Sequence, residues 1–255
     1  MADFVRQVVE DSVATVTLCR ADVHNAFNDQ MVAEITETFR GAATDDAVRV
    51  VVLAGEGKSF CAGADLAWMQ RMVDYTFDEN VADAMELAVM LRAIRTCPKP
   101  VIARVHGAVF GGGVGLVAAC DIAVALQAAK FCLSEVKLGL APAVISPLLL
   151  EKIGVSAARR YALTAERFDA EEARRIGLVH EVADDVDALD ARIRQFANDL
   201  LEGKPQAQAA TKQVLQDVAG LLVDDVADLT ARRIAELRVS TEGQEGLRAF
   251  LEDKQ

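Results

Sequence analysis

Two hydrophobic periods run along this chain, and the change from one to the other divides it. Residues 5–11 and 12–19 alternate roughly every second position around an acidic turn, which predicts a β-hairpin. A polar loop over 20–28 follows. It leads into a helix through Arg40, with Asn28 as its N-cap and Met31, Ile35 and Phe39 on one face. The run 48–53 is β-branched with a single charge, the composition of a strand buried on both faces. Residues 60–72 cross from loop into helix. Residues 78–96 form a helix with Ala84, Leu87, Ala88 and Leu91 on its apolar side, ended by Pro98 and Pro100. A strand over 99–106, a glycine run at Gly111, Gly112 and Gly113, a small-residue helix over 114–119 and a strand from Cys120 come next. Such strand–helix–strand alternation predicts a parallel sheet with right-handed crossovers. Beyond Pro147 the period is helical throughout: 148–153, 157–163, 170–176, 186–201, 205–218, 222–238 and 241–251, with Gly154, Gly177, Gly203 and Gly220 near their ends. The chain therefore reads as a core over 1–195 and a helical region over 196–255.

Composition narrows the functional classes. With 52% hydrophobic and 26% charged residues, the chain has the make-up of a soluble globular protein. Its net charge of −12 speaks against a nucleic-acid partner, which needs a basic footprint. Five cysteines, odd in number and without C-x-x-C spacing, read as buried thiols in a reducing compartment. With only three histidines, a histidine-rich metal centre is not expected, and no metal is assigned. No signal-like apolar core opens the chain and no apolar run is long enough to span a bilayer, so no membrane partner and a cytoplasmic location are expected.

Candidate chemistry centres on three places. The glycine run lies between a strand and a helix, where amide N–H groups point outward with no side chains in the way. A second small run, Ala62-Gly63-Ala64, opens the helix of 60–72. Two such sources of N–H are what an oxyanion hole requires. Glu135 sits in an otherwise apolar and small neighbourhood, a candidate acid/base group for chemistry beside a carbonyl.

These residues also carry a resemblance. The ordered set is similar to the crotonase (enoyl-CoA hydratase/isomerase) family over nearly the whole length. It comprises Arg20 with Asn25-Ala26, the segment Phe60-Cys61-Ala62-Gly63-Ala64-Asp65-Leu66, His106-Gly107 with the glycine run, and Cys120-Asp121-Ile122. It continues through Glu135 with Leu138-Gly139, then 173–179, and the close from Thr241 to Glu252. Within the family, 62–72 and 132–147 resemble the bacterial methylglutaconyl-CoA hydratase branch, which serves leucine and acyclic-terpenoid breakdown. The resemblance implies an α/β fold, a spiral of ββα units with a helical C-terminal trimerisation region, in trimers that often pair into hexamers. It implies an acyl-CoA thioester substrate, coenzyme A being part of that substrate and no separate cofactor being needed. By the same resemblance the N–H groups of Ala64 and Gly112 hold the thioester oxygen, and Glu135 is the catalytic acid/base. The nucleotide end of CoA would lie by Arg20 and by Ala62, Asp65 and Leu66; a solvated turn arginine is an equal reading for Arg20. Trp68 and Met69 would line the acyl pocket or simply pack.

The departures are informative. Family hydratases carry a second glutamate at the position of Gly115 here. Water addition with one carboxylate requires a single water to supply both OH and H, or another group to substitute, and one glutamate also suffices for Δ3,Δ2-enoyl-CoA isomerisation. Hydratase is the first reading, isomerase the second, and an inactive CoA-binding subunit the third. Asp121 reads as a structural cap. The family's C-terminal Phe-x-x-Lys becomes Phe250-Leu251-Glu252-Asp253, with Lys254 displaced by one. Glu introduced at position 115 is expected to raise hydration if the pocket admits it.

Overall fold

A computed structural model describes residues 4–252. Asp253 and Lys254 lie outside the described residues. The hairpin forms as expected, with β1 (Val5–Glu10) antiparallel to β2 (Val13–Leu18). The sheet then grows by parallel pairing through β3 (Val50–Gly55), β4 (Val101–Val105), β6 (Ile122–Leu126) and β9 (Glu181–Ala183). A second, three-stranded sheet holds β5 (Ala108–Phe110), β7 (Lys130–Cys132) and β8 (Phe168–Asp169). These short strands leave too little periodicity to be predicted. The chain thus alternates between sheets: β4, β5 and α4 (Gly112–Ala119) make one ββα turn, and β6, β7 and α5 (Ser146–Thr164) the next. This is the expected spiral.

β3 shows why its sequence is continuously apolar. Val51 and Leu53 pack into the main core with α1 (Asp29–Thr44), α3 (Phe77–Arg95), α4 and α5. Val50 and Val52 face the other way, onto Leu189, Ile193 and Ala197 of α7 (Val186–Glu202). Both faces of the strand are covered, so neither tolerates a polar residue. α7 runs unbroken across 195/196 and packs on this sheet. The helices that extend beyond the core are α8 (Pro205–Val218), α9 (Val223–Val239) and α10 (Thr241–Glu252).

Local signals set the helix ends. Asn28 caps α1 by accepting from the Met31 N–H at 3.0 Å. Thr76 and Glu79 form a reciprocal capping box at the start of α3. Gly154, at φ 67° and ψ 168°, breaks α5 into the two helices expected there. Asp121 is structural: its Oδ2 accepts from the Val101 N–H at 2.7 Å and from Lys212 Nζ at 2.6 Å, tying α8 to the core.

Candidate active site

The loop over 60–65 is drawn against the glycine turn by backbone pairing. Cys61 N–H donates to the Ala108 carbonyl at 3.2 Å, and Phe110 N–H donates back to the Cys61 carbonyl at 3.0 Å. On its other side the loop forms a parallel bridge between Ala64 and Phe27. In that bridge Phe27 N–H donates to the Gly63 carbonyl and Asp65 N–H to the Phe27 carbonyl. Ala64's own N–H therefore points away from Phe27, and it has no acceptor among the described residues. The expectation that 62–64 are helix-terminal amides is corrected here. The helix α2 (Leu66–Met72) begins later, and Ala62 N–H is already bonded to the His24 carbonyl at 3.0 Å.

Gly112 supplies the second donor. It is the first residue of α4, so its N–H has no partner within the helix. A side chain there would be impossible, because a Cβ would stand 2.3 Å from Phe27 Cζ. Phe27 in turn is held edge-on against Trp68, with ring centroids 6.0 Å apart. One aromatic pair thus fixes both amide donors: Phe27 bridges Ala64 through its backbone and abuts Gly112 through its ring.

Glu135 opens a short 3₁₀ turn, Glu135–Leu138, after β7. Its Oε2 is buried with no hydrogen-bond partner among the described residues. Burial pushes its carboxyl above the ordinary glutamate value. Ala64, Gly112 and Glu135 all line one cavity of about 320 Å³, whose other walls include Trp68, Leu87, Pro142 and Ile145. Two free amides and one unsatisfied carboxylate facing a common, mostly apolar space can stabilise an oxyanion and move a proton next to it.

The other expected site residues fall into different places. Trp68 is buried and lines the cavity. Leu66 is 83% exposed at the start of α2. Arg20 and Asp65 hold each other at 2.8 Å with side chains only 13% and 9% exposed. The guanidinium also donates to the Ala26 carbonyl and lies over the Phe4 ring. Asp65 caps α2 by accepting from Ala67 and Trp68 N–H groups. Burial raises the Asp65 carboxyl, but the bonds from Trp68, Arg20 and Ala67 outweigh it and hold it below the ordinary aspartate value. Neither Arg20 nor Asp65 is among the residues that line the cavity. They are paired with each other, and together they fix the loop that carries Ala64. Arg20→Lys keeps the charge and loses the fork that reaches both Asp65 and Ala26. It is expected to lower stability by about 1.5–3 kcal/mol in urea melts, the value of a hydrogen bond to a charged group.

Two residues of the cavity were not singled out by sequence. Ile145 faces Gly115: a Cβ on Gly115 would stand 2.4 Å from Ile145 Cγ2. Asp83, on α3, accepts from Trp68 Nε1 at 3.0 Å and lines the same space. It lies four and eight residues before Leu87 and Leu91, so an acid at the head of that helical face was the available signal. A larger cavity, about 500 Å³ between α5 and α8, holds the closed ion pairs Lys212–Asp121 and Arg95–Glu151 and no comparable pairing of free amides with a base. No cluster of three or more His, Cys, Asp or Glu suited to a metal ion occurs among the described residues.

Comparison with known proteins agrees with this geometry. The sequence profile described as enoyl-CoA hydratase/isomerase matches residues 9–255. A putative enoyl-CoA hydratase of Thermus thermophilus is 33% identical over 248 residues, covering 97% of this chain and 98% of that protein. The 1,2-epoxyphenylacetyl-CoA isomerase of Escherichia coli is 33% identical, covering 98% and 96% respectively. Among solved structures, an enoyl-CoA hydratase from Shewanella pealeana superposes with a TM-score of 0.95 at 44% identity, covering 98% of this chain and 94% of that one.

Proposed function

This chain belongs to the enoyl-CoA hydratase/isomerase family, and from that premise we propose that it adds water across the double bond of a 2-enoyl-CoA, with Glu135 as its single acid/base. The observation that carries the reading is the convergence of the Ala64 and Gly112 N–H groups and the unpartnered Glu135 carboxylate on one cavity. The two amides hold the thioester oxygen. The Glu135 carboxylate takes a proton from water as the hydroxyl bonds to Cβ. Charge passes through Cα to the thioester oxygen, and the protonated Glu135 then delivers that proton to Cα. One water supplies both H and OH, so the balance needs no second carboxylate. Each amide is worth about 2.7–4 kcal/mol of barrier where the oxyanion develops.

A second reading has its own support. Ile145 fills the space in front of Gly115, so that position offers the site no second acid. One glutamate in such a site can carry a proton between Cα and Cγ, which is 3-enoyl-CoA isomerisation. Loss of the conjugated thioester absorbance from 2-enoyl-CoA supports hydration. Its appearance from 3-enoyl-CoA supports isomerisation, and absence of both leaves an inactive CoA-binding subunit.

The methylglutaconyl-type substrate expected from the branch resemblance is not carried into this proposal. Its acyl chain ends in a carboxylate, and no lysine, arginine or histidine among the described residues lines the cavity. Assembly as a homotrimer or pair of trimers is part of the reading. It is supported by exposed apolar side chains on α8 to α10, among them Leu215, Ile234, Val239 and Leu247. A cytoplasmic location is supported by five free cysteines, four of them buried.

The raised carboxyl of Glu135 sets a pH dependence. If its carboxylate form starts hydration, kcat/KM rises with pH through an ionisation displaced above the ordinary glutamate value. A rate profile against pH checks this, and an acidic limb at an unperturbed glutamate value would count against Glu135 as the base.

A further inference from the structure

Besides Glu135, the acyl cavity contains a second carboxylate. Asp83 projects from α3 into a wall otherwise built of Phe27, Trp68, Met72, Ala84 and Leu87. An acid among such neighbours is costly unless something holds it. One partner does: the Trp68 indole N–H, at 3.0 Å to Oδ1. No other hydrogen bond reaches Asp83 among the described residues. Its nearest cation, Arg71, is engaged with Asp29 at 2.8 Å and half exposed, and Asp29 adds a further negative charge to the surroundings. The indole is itself fixed, since Trp68 is buried and packs edge-on to Phe27. The result is a rigid, singly bonded carboxylate with acceptor capacity left over, in a cavity whose other ionisable side chain, among the described residues, is also an acid.

We propose that Asp83 is a specificity-determining residue of the acyl pocket, accepting a hydrogen bond from a donor group on the acyl chain and rejecting acyl chains that carry a carboxylate. The inference rests on the reading of this cavity as the acyl-CoA site. Physically it has two parts. A hydroxyl reaching Asp83 meets a half-buried acceptor already oriented by Trp68, so little ordering of the protein remains to be done on binding. A carboxylate in the same place meets two like charges, Asp83 and Glu135, in a site of low polarity where repulsion is poorly screened. Selectivity of this kind comes as much from the penalty on the wrong ligand as from the bond to the right one.

The test uses three saturated thioesters of equal chain length, which bind without reacting: pentanoyl-CoA, 5-hydroxypentanoyl-CoA and glutaryl-CoA. Their dissociation constants are measured by calorimetry on the full-length protein and on two variants. Wild type is expected to bind glutaryl-CoA about 10- to 100-fold more weakly than pentanoyl-CoA, and the hydroxyl compound at least as well as pentanoyl-CoA. Asp83→Asn retains an oxygen for the Trp68 N–H and removes the charge, so it should recover most of the glutaryl-CoA loss with little change for pentanoyl-CoA. Asp83→Leu should remove the hydroxyl preference and tighten pentanoyl-CoA. Equal ratios among the three ligands in all three proteins would overturn the proposal while leaving the acyl-CoA reading intact. Failure of every thioester to bind wild type would overturn both.

Discussion

Glu135→Gln lowers kcat/KM for enoyl-CoA turnover by about 10²–10⁴-fold, the range a positioned general acid/base contributes. The substitution is isosteric, and the buried Oε2 already lacks a partner, so no existing hydrogen bond at that atom is broken. The fold should gain from the change. Glu135 holds its proton to a higher pH in the folded than in the unfolded chain. Between those two values the native state binds more protons, so its stability falls as pH rises through the window. At neutral pH the wild-type chain carries this cost and the glutamine variant does not. Thermal melts at pH 7 are therefore expected to show the variant melting at or above wild type, the gap narrowing towards pH 4. Loss of activity with gain of stability separates a base from a structural residue. Wild-type-like turnover in a well-folded variant would mean that another group moves the proton.

Gly115→Glu is expected to fail as a simple restoration of the missing carboxylate. Position 115 is buried on α4, and its Cβ would stand 2.4 Å from Ile145 Cγ2 and 3.1 Å from Ile145 Cβ. The contact is with a branched side chain anchored close to its backbone, which cannot swing clear. Overpacking plus an unpaired buried acid costs about 3 kcal/mol or more, a fall in Tm of roughly 6–12 °C for a chain of this size. Hydration should not improve. A gain in hydration is expected only if the pocket admits the side chain, and Ile145 occupies the volume in front of the glycine. Gly115→Glu combined with Ile145→Ala opens that volume, so the double variant should melt above the single one. It should also show a higher ratio of hydration to isomerisation than wild type. A single variant as stable as wild type would show that Ile145 yields more readily than its contacts with α4 imply.

The sequence determined by itself what depends on local periodicity and local chemistry. The hairpin at 5–18, the Asn28 cap, the doubly buried β3 and the break at Gly154 all follow from patterns within a few residues of each other. The ordered motifs around Ala64, the glycine run and Glu135 were legible as well, because an amide donor needs a small residue and an acid in apolar surroundings stands out. Tertiary structure decided whatever depends on which groups become neighbours. Arg20 and Asp65 lie 45 residues apart, and only the fold shows that each neutralises the other. Phe27 stands against Gly112, and Ile145 against Gly115, across separations that no period records. Asp83 is held at the cavity wall by Trp68, which arrives from α2, a contact no local pattern records. Hydrophobic period fixes which face of an element is buried. It carries no information about which distant side chain fills the space opposite, and the cavity is built around such pairs.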